Sequence, residues 1–147
     1  YGYTYDDWFD GKNKPAFRKF MPADYEGMEN NYFAPNIPLM RYSNVLLMKA
    51  EALNELGQTA EAISLINQVR ERADMPNMKG TSQAQVREQI EHERILEFPL
   101  ENFRFYDLRR WGKTQEALKA VGRDFNPEKN SFYPIPIQEI NTNNALH

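Results

Sequence analysis

The densest concentration of potentially reactive side chains lies between residues 91 and 110. This stretch holds four glutamates, one aspartate and four arginines. Glu93 and Glu97 are four residues apart, so they share one face if the segment is helical. Two neighbouring carboxylates can serve as the general acid and the general base that cleave a glycosidic bond. The spacing therefore leaves a glycan-cleaving enzyme open as one interpretation.

The same charges also suit a purely structural role. Two like charges four residues apart on a helix repel each other, and an arginine such as Arg104 can neutralise them through charge-assisted hydrogen bonds. We therefore favour the interpretation that this stretch holds no catalytic residue. The prediction is an ion network that holds the two helices of this region together, formed by Glu93, Arg94, Glu97, Arg104 and Asp107.

The common metal-binding patterns fail on spacing. His92 and the glutamate after it begin like a zinc-protease motif, but Leu96 occupies the position of the second histidine. The run from Asp6 resembles the start of a calcium-binding loop, but Trp8 stands at the third ligand position and Phe17 at the twelfth. The chain has no cysteine, which excludes thiolate ligands. We predict neither a metal site nor a cofactor.

Aromatic side chains recur near the start of the chain, among aspartates. The faces of aromatic rings stack on the C–H faces of sugars, and neighbouring carboxylates accept hydrogen bonds from sugar hydroxyls. We therefore predict that Tyr3, Tyr5, Trp8 and Asp10 contact an oligosaccharide. The alternative is that the alternating tyrosines lie on one face of an extended segment and pack against another part of the protein.

The composition fits one folded domain. Of the 147 residues, 41% are hydrophobic and 27% are charged. The net charge of −3 gives no electrostatic reason to bind nucleic acid or an anionic membrane. The chain begins with Tyr1 rather than Met, and we interpret it as processed or as a piece of a longer protein.

Apolar side chains recur at helical spacing from residue 41 onward. The pattern predicts five helices, over 41–56, 60–73, 83–98, 102–111 and 114–121. The first of them would bury one apolar stripe, made of Tyr42, Val45, Leu46, Ala50, Leu53 and Leu56. Gly57 is typical of a helix end, and Ser82 with Gln85 forms a capping box. Pro134 and Pro136 keep the segment around them extended.

The first two helices resemble one tetratricopeptide unit over residues 41–76. Such a unit needs small residues where its helices approach closely, and Ala50 and Ala62 fall at those places. An ordinary antiparallel helix pair is the alternative. We predict an all-α fold with long irregular connections, in which an aromatic-rich irregular segment over 1–37 precedes a helical domain over 38–147.

A set of segments stands out for its order along the chain. They are Pro38–Tyr42 with Val45–Asn54, Ile66–Ala73, Glu93–Phe98, Arg104–Gly112, and Tyr133–Pro136 with Glu139 and Ile140. Together they resemble the C-terminal part of the SusD/RagB family, the surface glycan-binding lipoproteins of Bacteroidetes. Two residues depart from the pattern, because Asn102 stands where the family usually has glycine and Pro99 interrupts the preceding helix.

The resemblance implies a protein that binds and does not catalyse. It implies capture of an oligosaccharide at the external face of the outer membrane and transfer to a SusC-like TonB-dependent transporter. The lipid-bearing cysteine and most of the helical repeats would then lie upstream of Tyr1. It also implies that the charged residues between 91 and 110 hold the fold together. A tetratricopeptide-like scaffold that binds a protein partner is the alternative function.

Overall fold

Helices account for the regular secondary structure within residues 38–143. The computed structural model describes these residues together with Lys19 and Ala145. In chain order the helices are α1 (Tyr42–Glu55), α2 (Thr59–Arg72), α3 (Gln83–Glu97), α4 (Phe103–Arg110), α5 (Thr114–Ala120), α6 (Pro127–Asn130) and α7 (Ile137–Thr142). Within this range no helix is both long enough and apolar enough to cross a membrane. The predicted all-α class is confirmed for this part of the chain.

The first five helices begin and end within one residue of their predicted bounds. The capping box is confirmed, since Ser82 Oγ accepts a hydrogen bond from the Gln85 N–H at 3.3 Å and Gln85 Oε1 accepts one from the Ser82 N–H at 3.2 Å. The prediction omits α6 and α7 because four and six residues are too short to show a hydrophobic period. Their local signal is weak, although Asn126 caps α6 by accepting a hydrogen bond from the Glu128 N–H at 2.9 Å.

A tight turn joins α1 to α2. Gly57 adopts a left-handed conformation with φ of 79°. The Gly57 N–H donates to the Asn54 carbonyl at 3.1 Å, and the Gln58 N–H donates to the Leu53 carbonyl at 2.8 Å. This pair of bonds is a Schellman motif, which satisfies the last carbonyls of α1. Because the link is so short, α1 and α2 pack antiparallel.

The hydrophobic core lies where α1, α2 and α3 meet. Its members are Leu46, Leu47, Ala50, Ala62, Ile66, Val69, Val86, Ile90 and Phe98. Ala50 and Ala62 are fully buried, so small side chains allow the close approach of α1 and α2 that a tetratricopeptide-like hairpin requires. α3 then covers the open side of this hairpin.

The buried face of α1 differs from the predicted apolar stripe. Tyr42 is 72% exposed, whereas Leu47, which the stripe omits, is fully buried. Asn44 and Asn54 are buried as well. Asn54 Nδ2 donates to the Gln83 carbonyl at 3.0 Å, and Gln83 Nε2 donates to the Asn54 carbonyl at 2.7 Å. Polar side chains with partners on other helices therefore help to set this face, and hydrophobic spacing does not register them.

We expect Gly57→Ala to lower the free energy of unfolding by about 1 kcal/mol, because a Cβ is disfavoured at positive φ. A Cβ at this position would have no atom within 4 Å, so the loss would report on the backbone alone. Urea unfolding of both proteins measures it. Gly57→Asn is the control, since asparagine tolerates the left-handed conformation. An equal loss in both variants would contradict the explanation.

Candidate functional site

The charged region centres on the buried guanidinium of Arg94 in α3. Its Nε donates to Asp107 Oδ2 of α4 at 2.7 Å, and its Nη1 donates to Asn44 Oδ1 of α1 at 2.9 Å. The side chains of Arg94 and Asp107 are only 4% and 6% exposed. A charge removed from water is costly unless it is paired and hydrogen-bonded. Arg94 thereby connects three helices through one side chain.

Two phenylalanine rings complete the surroundings of Arg94. The guanidinium carbon lies 5.1 Å from the centre of the Phe98 ring and 5.8 Å from that of Phe103. The two rings also meet edge to face, with their centres 5.3 Å apart. Both contacts are attractive, because a cation and a positive ring edge each favour the negative face of an aromatic ring.

The bend between α3 and α4 brings these rings together. Leu100 and Asn102 within it have positive φ angles of 64° and 63°. Asn102 occupies the N-cap position of α4 in the left-handed conformation. Asparagine tolerates this conformation better than most residues with a side chain. The departure from glycine noted in the sequence is therefore accommodated without loss of the bend.

The network continues from Asp107 back to α1. Arg110 Nε donates to Asp107 Oδ1 at 3.0 Å, and Arg110 Nη2 donates to Glu51 Oε2 at 2.7 Å. Trp111 Nε1 donates to Glu51 Oε1 at 3.0 Å. The path therefore leaves α1 at Asn44, passes through α3 and α4, and returns to α1 at Glu51.

The hydrogen bonds of this network shift the pKa values of two of its groups, Glu51 and Arg110. Partial burial alone would raise the pKa of Glu51, but hydrogen bonds from Arg110 and Trp111 outweigh it and hold that pKa below its ordinary value of 4.5. Burial would likewise lower the pKa of Arg110, but hydrogen bonds to Glu51 and Asp107 raise it. Both shifts favour the charged forms.

Glu93 and Glu97, the candidate acid and base, meet arginines of α2. Glu93 is ion-paired with Arg70 and also accepts a hydrogen bond from Gln89 Nε2 at 2.6 Å. Glu97 Oε2 lies 2.6 Å from Arg72 Nη2. The Glu93 and Glu97 side chains are 8% and 10% exposed. Both carboxylates thus join α3 to α2, and little of either side chain is exposed to solvent.

The predicted network residues therefore divide into three groups. Arg94 and Asp107 bond to each other, whereas Glu93 and Glu97 bond to α2. Arg104 is exposed and forms no ion pair within residues 38–143, so it is not the residue that neutralises the glutamates. Sequence separation explains the difference, because Arg70 and Arg72 lie 23 and 25 residues before their partners and no local spacing links them.

The residues predicted to contact an oligosaccharide are Tyr3, Tyr5, Trp8 and Asp10, and they lie outside the described residues. We call the three aromatic residues among them the aromatic run. Within the described part, the sequence reasoning did not identify Asn44, Glu51 and Trp111 as network residues. The only signal for Trp111 was its place in the segment that resembles the SusD/RagB pattern.

Comparison with known proteins relates the whole chain to one group. Residues 2–147 match the model of the SusD family. Three curated SusD-like proteins of Formosa agariphila are similar to it. P38 is 42% identical, and the match covers 58% of this chain and 19% of P38. P25 is 35% identical, and the match covers 91% of this chain and 27% of P25. P2 is 31% identical, and the match covers 99% of this chain and 32% of P2. The chain thus spans about a fifth to a third of the length of these relatives.

A solved structure gives the same relationship for the fold. A SusD superfamily protein from Bacteroides vulgatus superposes with a TM-score of 0.70 at 37% identity. The match covers 76% of this chain and 27% of that protein. The helical arrangement described above is therefore similar to one region of a larger protein.

We expect Asp107→Ala to lower the free energy of unfolding by about 3–5 kcal/mol, because it leaves the Arg94 charge buried without its partner. Urea unfolding measures the loss. The double variant Arg94→Met with Asp107→Leu removes both charges and should be more stable than Asp107→Ala.

Arg87→Met is the surface control for this experiment. Arg87 Nε and Nη2 each lie 2.5 Å from Glu55, but both side chains are nearly half exposed. Breaking an exposed pair costs little, because solvent already screens the attraction between its two charges. A loss as small as this in Asp107→Ala would show that the buried pair does not stabilise the fold.

The lowered pKa of Glu51 predicts a dependence of stability on pH. The Glu51 carboxylate contributes fully to the free energy of unfolding above its ordinary pKa of 4.5. This contribution disappears as the pH falls through the lower pKa that Glu51 has in the folded protein. Glu51→Gln should flatten this part of the profile when unfolding free energies are compared between pH 7 and pH 3. Glu71→Gln, which removes an exposed carboxylate, corrects for the loss of one charge. Identical acid profiles in the two variants would refute the prediction.

Proposed function

This chain belongs to the SusD family, and we propose that it forms part of a surface protein that binds oligosaccharide for uptake. In this proposal the complete protein lies at the external face of the outer membrane. It passes its ligand to a SusC-like TonB-dependent transporter, and no bond is made or broken. The observation that carries the proposal is the family match over residues 2–147.

The chemistry of the described helices supports a binding protein over an enzyme. The carboxylates of Glu93, Glu97 and Asp107 all accept hydrogen bonds from arginines. A general acid or base must instead reach the reacting atom of a substrate. We propose that these groups hold α2, α3 and α4 in place, and that ligand contact falls to other parts of the protein.

The aromatic run near the start of the chain is our candidate for that contact. Tyr3, Tyr5 and Trp8 supply ring faces, and Asp10 supplies a hydrogen-bond acceptor. Aromatic stacking fits any sugar that presents an apolar face, so this composition favours the class of ligand without selecting one glycan.

A tetratricopeptide-like scaffold for a protein partner is the second candidate. The observation that favours it is the outer surface of α1, where Tyr42, Val45 and Met48 are 72%, 42% and 42% exposed. Apolar side chains three residues apart on one helix form a stripe that another helix can cover. This candidate predicts a soluble protein partner in place of a transporter and no affinity for sugars.

We expect the complete protein to co-purify with a TonB-dependent transporter and to bind at least one neutral oligosaccharide. Pull-down from detergent-solubilised outer membranes tests the first part. Isothermal titration calorimetry with starch, xylan and β-glucan oligosaccharides tests the second. Trp8→Ala should weaken binding about two- to tenfold, since one aromatic stacking contact contributes about 0.5–1.5 kcal/mol.

The matched control is Tyr133→Ala, which removes an aromatic side chain that is 89% exposed and lies outside the run. It should bind oligosaccharide as the unmodified protein does. If no sugar binds and no transporter is recovered, the proposed function is wrong. If Trp8→Ala binds normally while the protein retains sugar binding, only the assignment of the aromatic run fails.

A further inference from the structure

A cavity of about 460 Å³ lies beside Trp111, between α1, α3 and the residues that follow α4. Its apolar lining comes mainly from Ala84 of α3 and from Trp111, because Ile90, which also borders it, is only 1% exposed. Its volume falls within the range of about 300–1,000 Å³ that is usual for small-molecule sites. Neither Glu93 nor Glu97 lines it, so the cavity is separate from the candidate acid and base considered above.

The Trp111 side chain is held in place without any ligand. Its indole N–H donates to Glu51 Oε1 at 3.0 Å. The guanidinium carbon of Arg110 lies 4.6 Å from the centre of its ring. Arg110 is in turn hydrogen-bonded to Asp107 and Glu51. An aromatic wall that is fixed in advance favours binding, because less conformational freedom is lost when a ligand arrives.

Ion pairs form the polar rim of the cavity. Arg87 donates through Nε and Nη2 to the Glu55 carboxylate, with both distances 2.5 Å. Lys113 Nζ donates to both oxygens of Glu91, at 2.7 and 2.8 Å. Each pair retains further hydrogen-bonding capacity, because a carboxylate has about four lone-pair sites and a guanidinium has five N–H groups. The rim therefore offers donors and acceptors side by side.

The charge of the lining selects between classes of ligand. Four carboxylates line the cavity, from Glu51, Glu55, Glu88 and Glu91, together with two cationic side chains, from Arg87 and Lys113. Arg110, which is not part of the lining, pairs with Glu51, so one carboxylate remains in excess. The excess of negative charge disfavours phosphate, sulfate and uronate groups. A hydroxyl group is both donor and acceptor, so it can bond to either member of each ion pair.

We propose that this cavity is a binding site for a neutral saccharide ring. The apolar lining receives the C–H face of the ring, and the Glu55–Arg87 and Glu91–Lys113 pairs bond to its hydroxyls. The inference shares with the proposed function the class of ligand, and it adds a sugar site within the helical part that is independent of the aromatic run.

Fluorine NMR of the complete protein labelled with 5-fluorotryptophan tests this inference, because Trp8 and Trp111 report separately on the aromatic run and on the cavity. Trp8→Phe and Trp111→Phe each remove one resonance and so assign the two signals. The probes are malto-, xylo- and laminari-hexaose as neutral sugars, with oligogalacturonate and inorganic sulfate as anions. We expect a saturable shift of the Trp111 resonance with at least one neutral hexaose and none with either anion.

Ala84→Tyr fills the cavity and should weaken the effect on Trp111 at least tenfold. Ala120→Tyr is the matched control, because it replaces another exposed helical alanine and lies outside the lining. It should leave the titration unchanged. Urea unfolding verifies that both variants remain folded.

The possible failures can be told apart. The inference is overturned if none of the neutral hexaoses shifts the Trp111 resonance. It is also overturned if the shift is equally large in Ala84→Tyr. An equal response to oligogalacturonate overturns the selection for neutral sugars. If a hexaose moves the Trp8 resonance alone, the cavity is not a sugar site but the proposed function survives. If no sugar moves either resonance and calorimetry of the complete protein detects no binding, both proposals fail.

Discussion

A guanidinium group that leaves water must find partners for its charge and for its N–H groups. Arg94 meets this requirement with Asp107 on α4, Asn44 on α1 and the rings of Phe98 and Phe103. One buried side chain therefore links three helices. The bend between α3 and α4, with Asn102 in the left-handed conformation, lies between Arg94 and Asp107 in the chain, and Asp107 continues the network to Arg110.

The local features of the fold could be predicted from the sequence. Hydrophobic spacing and helix-end residues located α1 to α5 within one residue, because capping and periodicity act over a few neighbouring positions. The buried face of α1 could not be located in this way. Asn44 and Asn54 belong to it through hydrogen bonds to Arg94 and Gln83, and such bonds connect residues 50 and 29 positions apart.

The same distinction applies to the charged region. The acidic and basic residues between 91 and 110 stand out in the sequence, but their local spacing favours Arg104 as the partner of the glutamates. The structure brings Arg70 and Arg72 to Glu93 and Glu97 instead, because α2 and α3 pack together and Arg104 lies on an exposed part of α4. Partners across a helix interface become visible only when the packing is known. The cavity beside Trp111 depends on the same packing and has no sequence signal of its own.

The path of bonds that leaves α1 at Asn44 and returns at Glu51 has a mechanical consequence. Two attachment points almost two helical turns apart prevent α1 from rotating about its long axis as well as from sliding. The direction in which its exposed side chains point is thus fixed relative to α3 and α4. A neighbouring element therefore meets Tyr42, Val45 and Met48 in a single orientation. Substitutions on that outer surface can consequently change which partner α1 binds, while the buried face of α1 keeps its orientation toward the core.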